Sequence, residues 1–461
     1  MALNEVLVIL MFLTFIGLLF TGFPIGYVLG GVGVIFGVVG YIADLYFDTV
    51  TGLDLLTLGL VVNRIYKIMD NWILVALPMF IFMGLMLDKS GVAERMMFSM
   101  QELFGKVRGG LAITVTLIGI ILAASTGIIG ASVVLLGLLS LPAMLGQGYN
   151  KSLALGTICG AGCLGILIPP SIMLVIMADQ LSISVGDLFV GAIIPGLLLG
   201  CLYLLYILIA SYIKPSIAPL PTDRRPLDAA VLWDVFKAVL PPVLLIISVL
   251  GSIFAGIATP TEASGVGALG ATLLAIYNRR FNFKVLKEVL EASFNTTAYI
   301  FALFIGATLF ALVMRELGGD DLIERALLSL PFGNYGILIT ILLIVFLLGF
   351  LLDWIEITLI ILPLISPIIS ALDFQVNGYG VLDFPTLVWF LVLVAVTLQT
   401  SFLTPPVGFA LFYLKGVCPP EVSLSDIYKG VIPFVLLQLT ALVILLSFPE
   451  LVTWLPAYVF G

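Results

Sequence analysis

Histidine is missing from this chain of 461 residues, and charged side chains are scarce. Histidine is the commonest general base and metal ligand near neutral pH, so its absence argues against zinc or haem chemistry and histidine proton relays. Only 10% of the residues are charged and 62% are hydrophobic, whereas about 25% of the residues in a soluble protein are charged. The composition therefore excludes a water-soluble enzyme domain, a nucleic-acid binder and a disordered regulator.

Other absences narrow the possibilities further. The formal net charge of −8 argues against a nucleic-acid partner, which would require a basic patch. Cys159 and Cys163, two of only four cysteines, have no histidine or further cysteine nearby, so we interpret them as helix-packing residues. No Gly-x-x-x-x-Gly-Lys-Ser/Thr motif occurs, so any energy that this chain uses must come from an ion gradient or a partner ATPase. The N-terminus lacks a basic segment and a cleavage site, which favours a retained span over a signal peptide.

Long apolar runs dominate what is present. Twelve runs of 16 to 42 residues contain no Asp, Glu, Lys or Arg. A helix needs roughly 20 apolar residues to cross a bilayer. The sequence therefore predicts an all-α, polytopic membrane protein with about a dozen membrane segments.

The breaks within these runs predict the first helices. Residues 21–24 (TGFP) divide the run 6–43 into two helices, and the mixed segment 44–70 predicts an interfacial or arm helix. The run 71–87 is short and carries Pro78, which suits either a re-entrant hairpin or a kinked helix. Basic loops at 214–237 and 279–287 flank a pair of passes, and the positive-inside rule places both loops in the cytoplasm.

Features that recur in the same order indicate an internal repeat. Glu324-Arg325 follows Glu94-Arg95 by 230 positions, and Pro405-Pro406 follows Pro169-Pro170 by 236 positions. The motif 423–426 (SLSD) with Gly430 follows the motif 184–187 (SVGD) with Gly191 by 239 positions. We therefore divide a single transport unit, 1–461, into scaffold helices and an arm at 1–71, a first copy at 72–212, a connecting helix pair at 213–294 and a second copy at 295–455. The pattern leaves open whether the copies are parallel or inverted.

Two double prolines predict broken helices. Pro169 and Pro170 lie inside an apolar run after several glycines, and Pro405 and Pro406 lie inside another. Proline lacks an N–H group, so each pair should unwind a turn and release carbonyl oxygens. Such backbone is tolerated at membrane depth only where it is buried in protein or lines a cavity. Interrupted helices at matching places in two repeats indicate a midplane site for substrate and ions, although simple kinks that aid packing are the alternative.

Two polar islands accompany these breaks. The stretch 123–132 (AASTGIIGAS) supplies hydroxyls and carbonyls that suit a hard cation such as Na⁺, or small residues for close helix packing. Its counterpart, 349–356 (GFLLDWIE), contains two acids, which are functional candidates in an apolar stretch. Asp353 is the stronger candidate, as an ion ligand or a helix cap, and Glu356 suits an interface equally well. Glu262 lies at a turn and should cap the following helix.

A transported carboxylate would have to be recognised without Lys or Arg, because none lies inside these islands. Helix N-termini, hairpin-tip amides or bound cations could meet its charge. The tips would lie near Pro78 and near Asn295, Thr296 and Thr297, with the surroundings of Thr308 as the alternative for the second tip.

Several motifs resemble the large membrane subunit of tripartite ATP-independent periplasmic (TRAP) transporters, from about residue 5 to residue 455. The motifs, in chain order, are 76–84 (ALPMFIFMG), Gly148-Tyr149, 165–171 (GILIPPS), 258–263 (ATPTEA), 403–408 (LTPPVG) and Leu411-Phe412. The long segment 44–70 is similar to a subgroup that takes keto acids, lactate-like acids or aromatic acids.

The resemblance implies an elevator-type, Na⁺-coupled secondary transporter of a bacterial inner membrane, with inverted repeats that each hold a re-entrant hairpin and a broken helix. The hairpins would map to about 72–88 and 295–315. The implied partners are a small four-helix membrane subunit, a periplasmic substrate-binding protein and membrane lipid, with no cofactor beyond the coupling ion. The implied ion ligands are Ser125, Thr126, Gly127, Ser132, Gly162 and Gly165 for one site, and Gly349, Asp353, Thr397, Ser401 and Thr404 for the other, with Pro169, Pro170, Pro405 and Pro406 beside the substrate.

Three functions remain to be compared. The first is ion-coupled uptake of an organic acid, such as a keto acid, a lactate-like acid or a dicarboxylate, delivered by a binding protein. The second is a stand-alone carrier or exchanger without a binding protein. The third is a membrane-embedded enzyme, which the missing histidines and the absence of acids at metal-ligand spacing disfavour.

Overall fold

The computed structural model describes residues 2–47, 49–126, 129–221, 227–405 and 407–461, with only the backbone of Leu55 and of 123–126. This described part is helical and contains no strand. Nine helices within it are long and apolar enough to cross a membrane. The predicted all-α membrane architecture is confirmed.

By internal contacts the chain divides into two compact units. Unit 1 consists of Met1–Leu74, Gln180–Ser182 and Phe294–Gln375, and unit 2 consists of Val75–Asp179, Ile183–Ser293 and Val376–Gly461. These units follow packing and cut across the division into repeats that the sequence suggested.

Unit 1 combines the N-terminal helices with the first part of the second half of the chain. A π-helical stretch, Ile357–Ile361, joins two of its helices, at a point where Pro363 cannot donate to the carbonyl four residues before it. The helices are α1 (Leu3–Leu19), α2 (Ile25–Tyr46), α3 (Leu55–Met69), the part of α13 (Phe283–Glu316) from Phe294, α14 (Gly319–Leu328), α15 (Asn334–Leu348), α16 (Trp354–Glu356) and α17 (Leu362–Ala371).

Glycines bring α2 against α13 in unit 1. A Cβ atom on Gly306 would lie 2.3 Å from the carbonyl oxygen of Gly26, and a Cβ on Gly26 would lie 3.1 Å from that of Ala302. A Cβ on Gly33 would lie 2.9 Å from the side chain of Leu309. Small residues permit this close approach, which supplies van der Waals contact where no hydrophobic effect acts between helices in lipid.

Unit 2 contains the two double-proline segments. The last residue of a 3₁₀ turn, Trp72–Val75, begins this unit and precedes its first helix, and another 3₁₀ turn, Leu164–Ile166, follows α8. Its helices are α4 (Ala76–Lys89), α5 (Val92–Leu103), α6 (Gly110–Thr126), α7 (Ile129–Gly146), α8 (Lys151–Cys163), α9 (Ile172–Gln180), α10 (Val185–Ile213), α11 (Ala229–Phe254), α12 (Pro260–Tyr277), the start of α13, α18 (Pro385–Leu403), α19 (Phe409–Val417), α20 (Leu424–Ser447) and α21 (Glu450–Phe460).

The closest helix contact of unit 2 fixes α8, the helix that leads into the first double proline. A Cβ on Gly156 would lie 2.0 Å from the carbonyl oxygen of Gly430, and a Cβ on Gly160 would lie 2.6 Å from the ring of Phe434. Both glycines of α8 therefore face α20 without room for a side chain. This packing positions the end of α8 and the turn that follows it.

The order of helices repeats along the chain. Helices α5, α6, α7, α8, α9 and α10 are followed in the same order by α14, α15, α16, α18, α19 and α20, whose first residues lie 224 to 239 positions later. The displacement matches that of the recurring sequence features. In each half, a helix, a break and a short helix follow the same plan around the double proline.

Several local predictions are confirmed. The stretch 21–24 separates α1 from α2, and a helix, α3, forms within 44–70. Glu262 caps α12: its carboxylate accepts from the backbone N–H of Thr259 at 2.8 Å, and its own N–H donates to the Thr259 hydroxyl at 3.3 Å. This reciprocal pair of bonds is a capping box, which supplies partners for backbone groups that a helix start leaves unpaired.

The predicted hairpin turns are wrong. Pro78 lies in the first turn of α4, where its missing N–H would have no helical partner, so the helix continues past it. Helix α13 runs without a break from Phe283 to Glu316, through the second predicted hairpin at 295–315. That stretch contains no proline. Its one glycine, Gly306, packs against α2 and does not form a turn. Two helices that are consecutive in the chain, α6 and α7, pack on each other.

A substitution at the contact between α8 and α20 tests its importance. We expect Gly156→Val to lower stability by about 1–3 kcal/mol, because overpacking forces backbone apart. The melting temperature of the detergent-purified protein measures the effect. The control is Gly265→Val in α12, where an added Cβ meets nothing within 4 Å, and this variant should melt at nearly the wild-type temperature. Equal melting temperatures for the two variants would contradict the expectation.

Candidate functional site

The first double proline produces a buried break between α8 and α9. Helix α8 ends at Cys163, the 3₁₀ turn follows, and α9 begins at Ile172. No described backbone N–H donates to the carbonyls of 167–170. The hydroxyl of Ser171 donates to the carbonyl of Ile166 at 2.6 Å, which satisfies one oxygen of the turn. The predicted release of carbonyl oxygens is therefore present, and every residue of 163–171 is buried.

The second break lies between α18 and α19. Helix α18 ends at Leu403 and α19 begins at Phe409, while Pro406 lies outside the described residues. The hydroxyls of Thr397, Thr400 and Thr404 donate to the carbonyls four residues before them, at 2.8, 2.9 and 2.6 Å. Because these protons point along the helix, the oxygen lone pairs remain available to accept a donor or a cation.

Gln399 connects the two breaks. Its Nε2 donates to the carbonyl oxygen of Cys163 at 3.0 Å, across 236 positions of sequence. Both residues have no exposed surface, and Gln399 Oε1 is buried without a hydrogen-bond partner among the described residues. In the sequence, Gln399 lies among the Thr and Ser residues before the second double proline. Its hydrogen-bond partner is distant in the sequence and is identified only by the fold.

Three residues predicted for the first ion site, Ser132, Gly162 and Gly165, lie on neighbouring elements of unit 2. A Cβ on Gly162 would lie 2.4 Å from the side chain of Val133, which follows the buried Ser132 on α7. The 3₁₀ turn that contains Gly165 packs against α6, α7, α10 and α18. Of the remaining predicted ligands, Gly127 lies outside the described residues, as do the side chains of Ser125 and Thr126.

Two further buried polar side chains stand beside the first break. Tyr203 on α10 and Gln438 on α20 have no exposed surface, and the ring of Tyr203 packs edge-on against Phe434 at 5.0 Å. The hydroxyl of Tyr203 and both polar atoms of the Gln438 amide are buried without a hydrogen-bond partner among the described residues. Neither residue was predicted from the sequence, because a single polar residue in an apolar helix does not show which other helix it faces.

The acidic counterpart island lies in unit 1. Gly349 caps α15, and Asp353 caps α16 by accepting from the backbone N–H of Trp354 at 2.8 Å. The helix-cap interpretation of Asp353 is confirmed, and its role as an ion ligand stays a prediction. The other residues predicted for that ion site, Thr397 to Thr404, belong to unit 2.

The residues predicted at hairpin tips have no turn to occupy. Asn295, Thr296, Thr297 and Thr308 lie within the continuous α13, and Pro78 lies within α4. Backbone N–H groups inside a helix bond to carbonyls of the same helix, so they offer no free amides to an anion. The helix starts at the two breaks, α9 and α19, supply such amides instead.

Within the described residues, no group of three Cys, Asp or Glu side chains is placed to hold a metal ion such as zinc. The free groups at the two breaks are neutral carbonyl and hydroxyl oxygens together with an amide. These donors suit a hard monovalent cation and the positive ends of short helices suit an anion. The arrangement therefore favours binding and release over a chemical reaction.

Comparison with known families and structures gives one consistent answer. Residues 12–451 match the family described as "Tripartite ATP-independent periplasmic transporter, DctM component". The chain is 30% identical to the C4-dicarboxylate TRAP transporter large permease protein DctM of Vibrio cholerae, and the alignment covers 98% of each chain. It is 27% identical to the sialic acid TRAP transporter large permease protein SiaM of the same species, over 97% of each chain.

A solved structure shares the fold. The YdaH transporter of Alcanivorax borkumensis superposes with a TM-score of 0.58 at 13% identity, covering 84% of this chain and 87% of that chain. At this identity the likeness concerns fold alone.

The link between the breaks can be tested by removing one donor. We expect Gln399→Met to lower stability by about 1–3 kcal/mol, because a hydrogen bond is lost inside the protein and no water replaces it. Thermal unfolding of the purified protein measures the loss. Gln101→Met, at a half-buried position of α5, is the control, and an equal effect of the two substitutions would count against a specific role for Gln399.

Proposed function

The chain belongs to the DctM component family of tripartite ATP-independent periplasmic transporters, and we propose that it couples uptake of an organic carboxylate to the entry of Na⁺. As a large permease subunit it is a multi-pass inner-membrane transport protein and not an enzyme. The coupling ion and the solute are the proposal.

The observation that carries the proposal is the pair of buried breaks in unit 2, joined through Gln399. The carbonyls of 167–170, which accept no hydrogen bond from a described backbone N–H, and the hydroxyl oxygens of Thr397 and Thr404 lie in an otherwise apolar interior. Orphan backbone at membrane depth persists where it lines a site or a cavity. Hard oxygen donors without a negative charge favour a weakly held monovalent cation, which can be released in each transport cycle.

Recognition of an anion fits the same place. Helices α9 and α19 begin directly after the breaks, and a helix start carries roughly half a positive charge. The runs 152–178 and 384–414 contain no Lys or Arg, so helix ends and a bound cation are the available positive charges. We infer that the carboxylate binds beside Pro169, Pro170 and Pro405.

The names of relatives support an organic anion as the solute. They refer to C4-dicarboxylates, sialic acid, isethionate and 2,3-diketo-L-gulonate. These solutes differ in size and share a negative charge, which suits a permease that recognises the anionic group while another component selects the molecule. We propose a periplasmic substrate-binding protein and a small four-helix membrane subunit as the partners of this chain. The alternative is a stand-alone carrier that needs neither.

Reconstitution distinguishes the two possibilities. The chain is placed in liposomes with or without a small TRAP membrane subunit and a periplasmic binding protein from the same organism, and uptake of radiolabelled organic acids is measured. We expect uptake only with all three components and with an inward Na⁺ gradient. Uptake by the chain alone, or uptake indifferent to Na⁺, would refute the proposal.

One substitution tests the second break. We expect Thr404→Ala to raise the Na⁺ concentration for half-maximal uptake roughly tenfold, a loss of about 1.4 kcal/mol of binding. Thr440→Ala on α20 is a matched control, because the Thr440 hydroxyl makes the same bond to a carbonyl four residues back, at 2.8 Å, on an exposed face. Sodium dependence that is unchanged in Thr404→Ala would exclude this residue from the ion site.

A further inference from the structure

A polar cavity lies in unit 2 where two turns between helices meet. It has a volume of about 360 Å³ and is lined by residues of the turn between α4 and α5 and of the turn between α12 and α13. Most of its lining side chains are charged or polar, in contrast to the apolar helices that lead into it. Neither turn contains a double proline, and the proposed transport site uses none of the lining residues.

Hydrogen bonds and an ion pair hold the two turns together. Asn278, at the end of α12, donates to the carbonyl oxygen of Ser90 at 3.1 Å and accepts from Arg95 at 2.5 Å. Arg280 pairs with Glu94 at 2.8 Å. These contacts cross more than 180 positions of sequence and fix the walls of the cavity.

One cation of the lining has no ion-pair partner. Lys89 pairs with Glu288 at 3.1 Å, in addition to the pair of Arg280 with Glu94. Arg279 also lines the cavity and belongs to no ion pair in the described part of the chain. A guanidinium presents a fork of donors that matches the oxygens of a phosphate or a carboxylate.

Asp88 contributes a buried atom that has no partner. Its Oδ1 is shielded from solvent and has no hydrogen-bond partner among the described residues, and the residue lines the cavity. An ionised carboxylate accepts hydrogen bonds and a protonated one also donates, so Asp88 can bond to a polar ligand in either state. Buried polar atoms without a partner are rare in folded proteins, and an unseen bound group is one reason for them.

Two helix starts border the cavity. Gly91 and Asn282, which line it, directly precede α5 and α13. Asn282 Oδ1 accepts from the backbone N–H of Val285 at 2.9 Å, which leaves the amide Nδ2 as a donor. A helix start carries roughly half a positive charge and offers free N–H groups, which suit a phosphate. Together with Arg279, these groups favour an anionic ligand.

The backbone of Arg279 is unusual for its residue type. Its φ of 58° lies in the left-handed region that favours glycine, at the position after a helix end where glycine is common. The N–H groups of Arg279 and Arg280 donate to the carbonyls of Ile276 and Ala275, each at 2.9 Å, which closes the end of α12. Strained non-glycine residues concentrate at functional sites. An arginine at this position therefore indicates a role for its side chain.

The surroundings of the cavity suit the headgroup region of a membrane. Tyr277 and Phe283 flank the turn that contains Arg279, and their side chains are exposed. Exposed aromatic residues at the ends of apolar helices are typical of the membrane interface. The basic loop 279–287 is predicted to be cytoplasmic, and the headgroups of that leaflet carry the phosphates that basic pockets bind.

We propose that this cavity binds the phosphate of a phospholipid headgroup from the cytoplasmic leaflet. Arg279 and the starts of α5 and α13 bind the phosphate, and Asp88 and Asn282 bond to the remaining polar atoms of the headgroup. The site lies apart from the double-proline breaks. It does not depend on the coupling ion or on the solute of the proposed function.

Native mass spectrometry of the purified, delipidated full chain, titrated with phosphatidylglycerol, tests the site. Arg279→Gly removes the guanidinium and suits the positive φ, so we expect a folded protein whose lipid binding is roughly tenfold weaker. Gln375→Gly is the matched control, because Gln375 is another exposed non-glycine residue with a positive φ, of 52°. It should bind lipid as the wild type does. Equal lipid binding by Arg279→Gly and the wild type would overturn the inference.

Two further comparisons separate a lipid site from general attraction of anions. Lys214→Gln removes a positive charge from an exposed position outside the cavity, and it should leave lipid binding unchanged. A loss equal to that of Arg279→Gly would indicate general attraction and refute a specific site. Inorganic phosphate at the same concentration should not displace the lipid. Displacement by phosphate alone would refute a lipid as the ligand.

A third measurement uses the unsubstituted protein. A phospholipid with a photoreactive headgroup is incorporated with the full chain into liposomes and illuminated, and the labelled peptides are identified by mass spectrometry. We expect labels within 88–94 and 279–285. Labels confined to other segments would overturn the site, whatever the stability of the variants.

Uptake and lipid binding fail independently of each other. If the chain binds the lipid at Arg279 while reconstituted uptake ignores Na⁺, the proposed function fails and the lipid site stands. If uptake is driven by Na⁺ and Arg279→Gly binds lipid normally, the lipid site fails alone.

Discussion

The requirement that backbone polar groups be satisfied in an apolar interior governs this structure. Helices satisfy the requirement along most of the chain, because each N–H bonds within its own segment. Buried exceptions within the described residues include the double-proline break after α8, the break after α18 and the link 349–352 before α16. At each of them polar side chains gather near the freed carbonyls. The proposed ion and anion sites lie at the first two of these exceptions.

Close packing holds the exceptions in place. Gly156 and Gly160 let α8 approach α20 to a distance at which a side chain would clash, and Gly26 and Gly306 do the same for α2 and α13. In a membrane such contacts replace the hydrophobic effect as the source of helix association. The rigid placement of α8 then gives Gln399 a fixed carbonyl to bond, so glycine packing and the polar link depend on each other.

The composition and the prolines were sufficient to predict the architecture and the breaks. Pro169 and the stretch before Pro405 interrupt helices as expected, because a missing N–H has a local effect that does not depend on the rest of the fold. The hairpin predictions failed for the opposite reason. Pro78 is harmless in a first turn, and the polar residues near Asn295 stay helical because neighbouring helices, which the sequence does not identify, decide whether a helix continues.

The sequence by itself determined the membrane class, the paired breaks and the family resemblance, since these depend on hydrophobicity, on proline and on residue order. Tertiary structure decided which polar groups meet. It joined Gln399 to Cys163 across 236 positions and buried Glu356 away from solvent. Both results depend on packing between distant segments, and a sequence pattern reports spacing along one helix but not the neighbour that the helix acquires on folding.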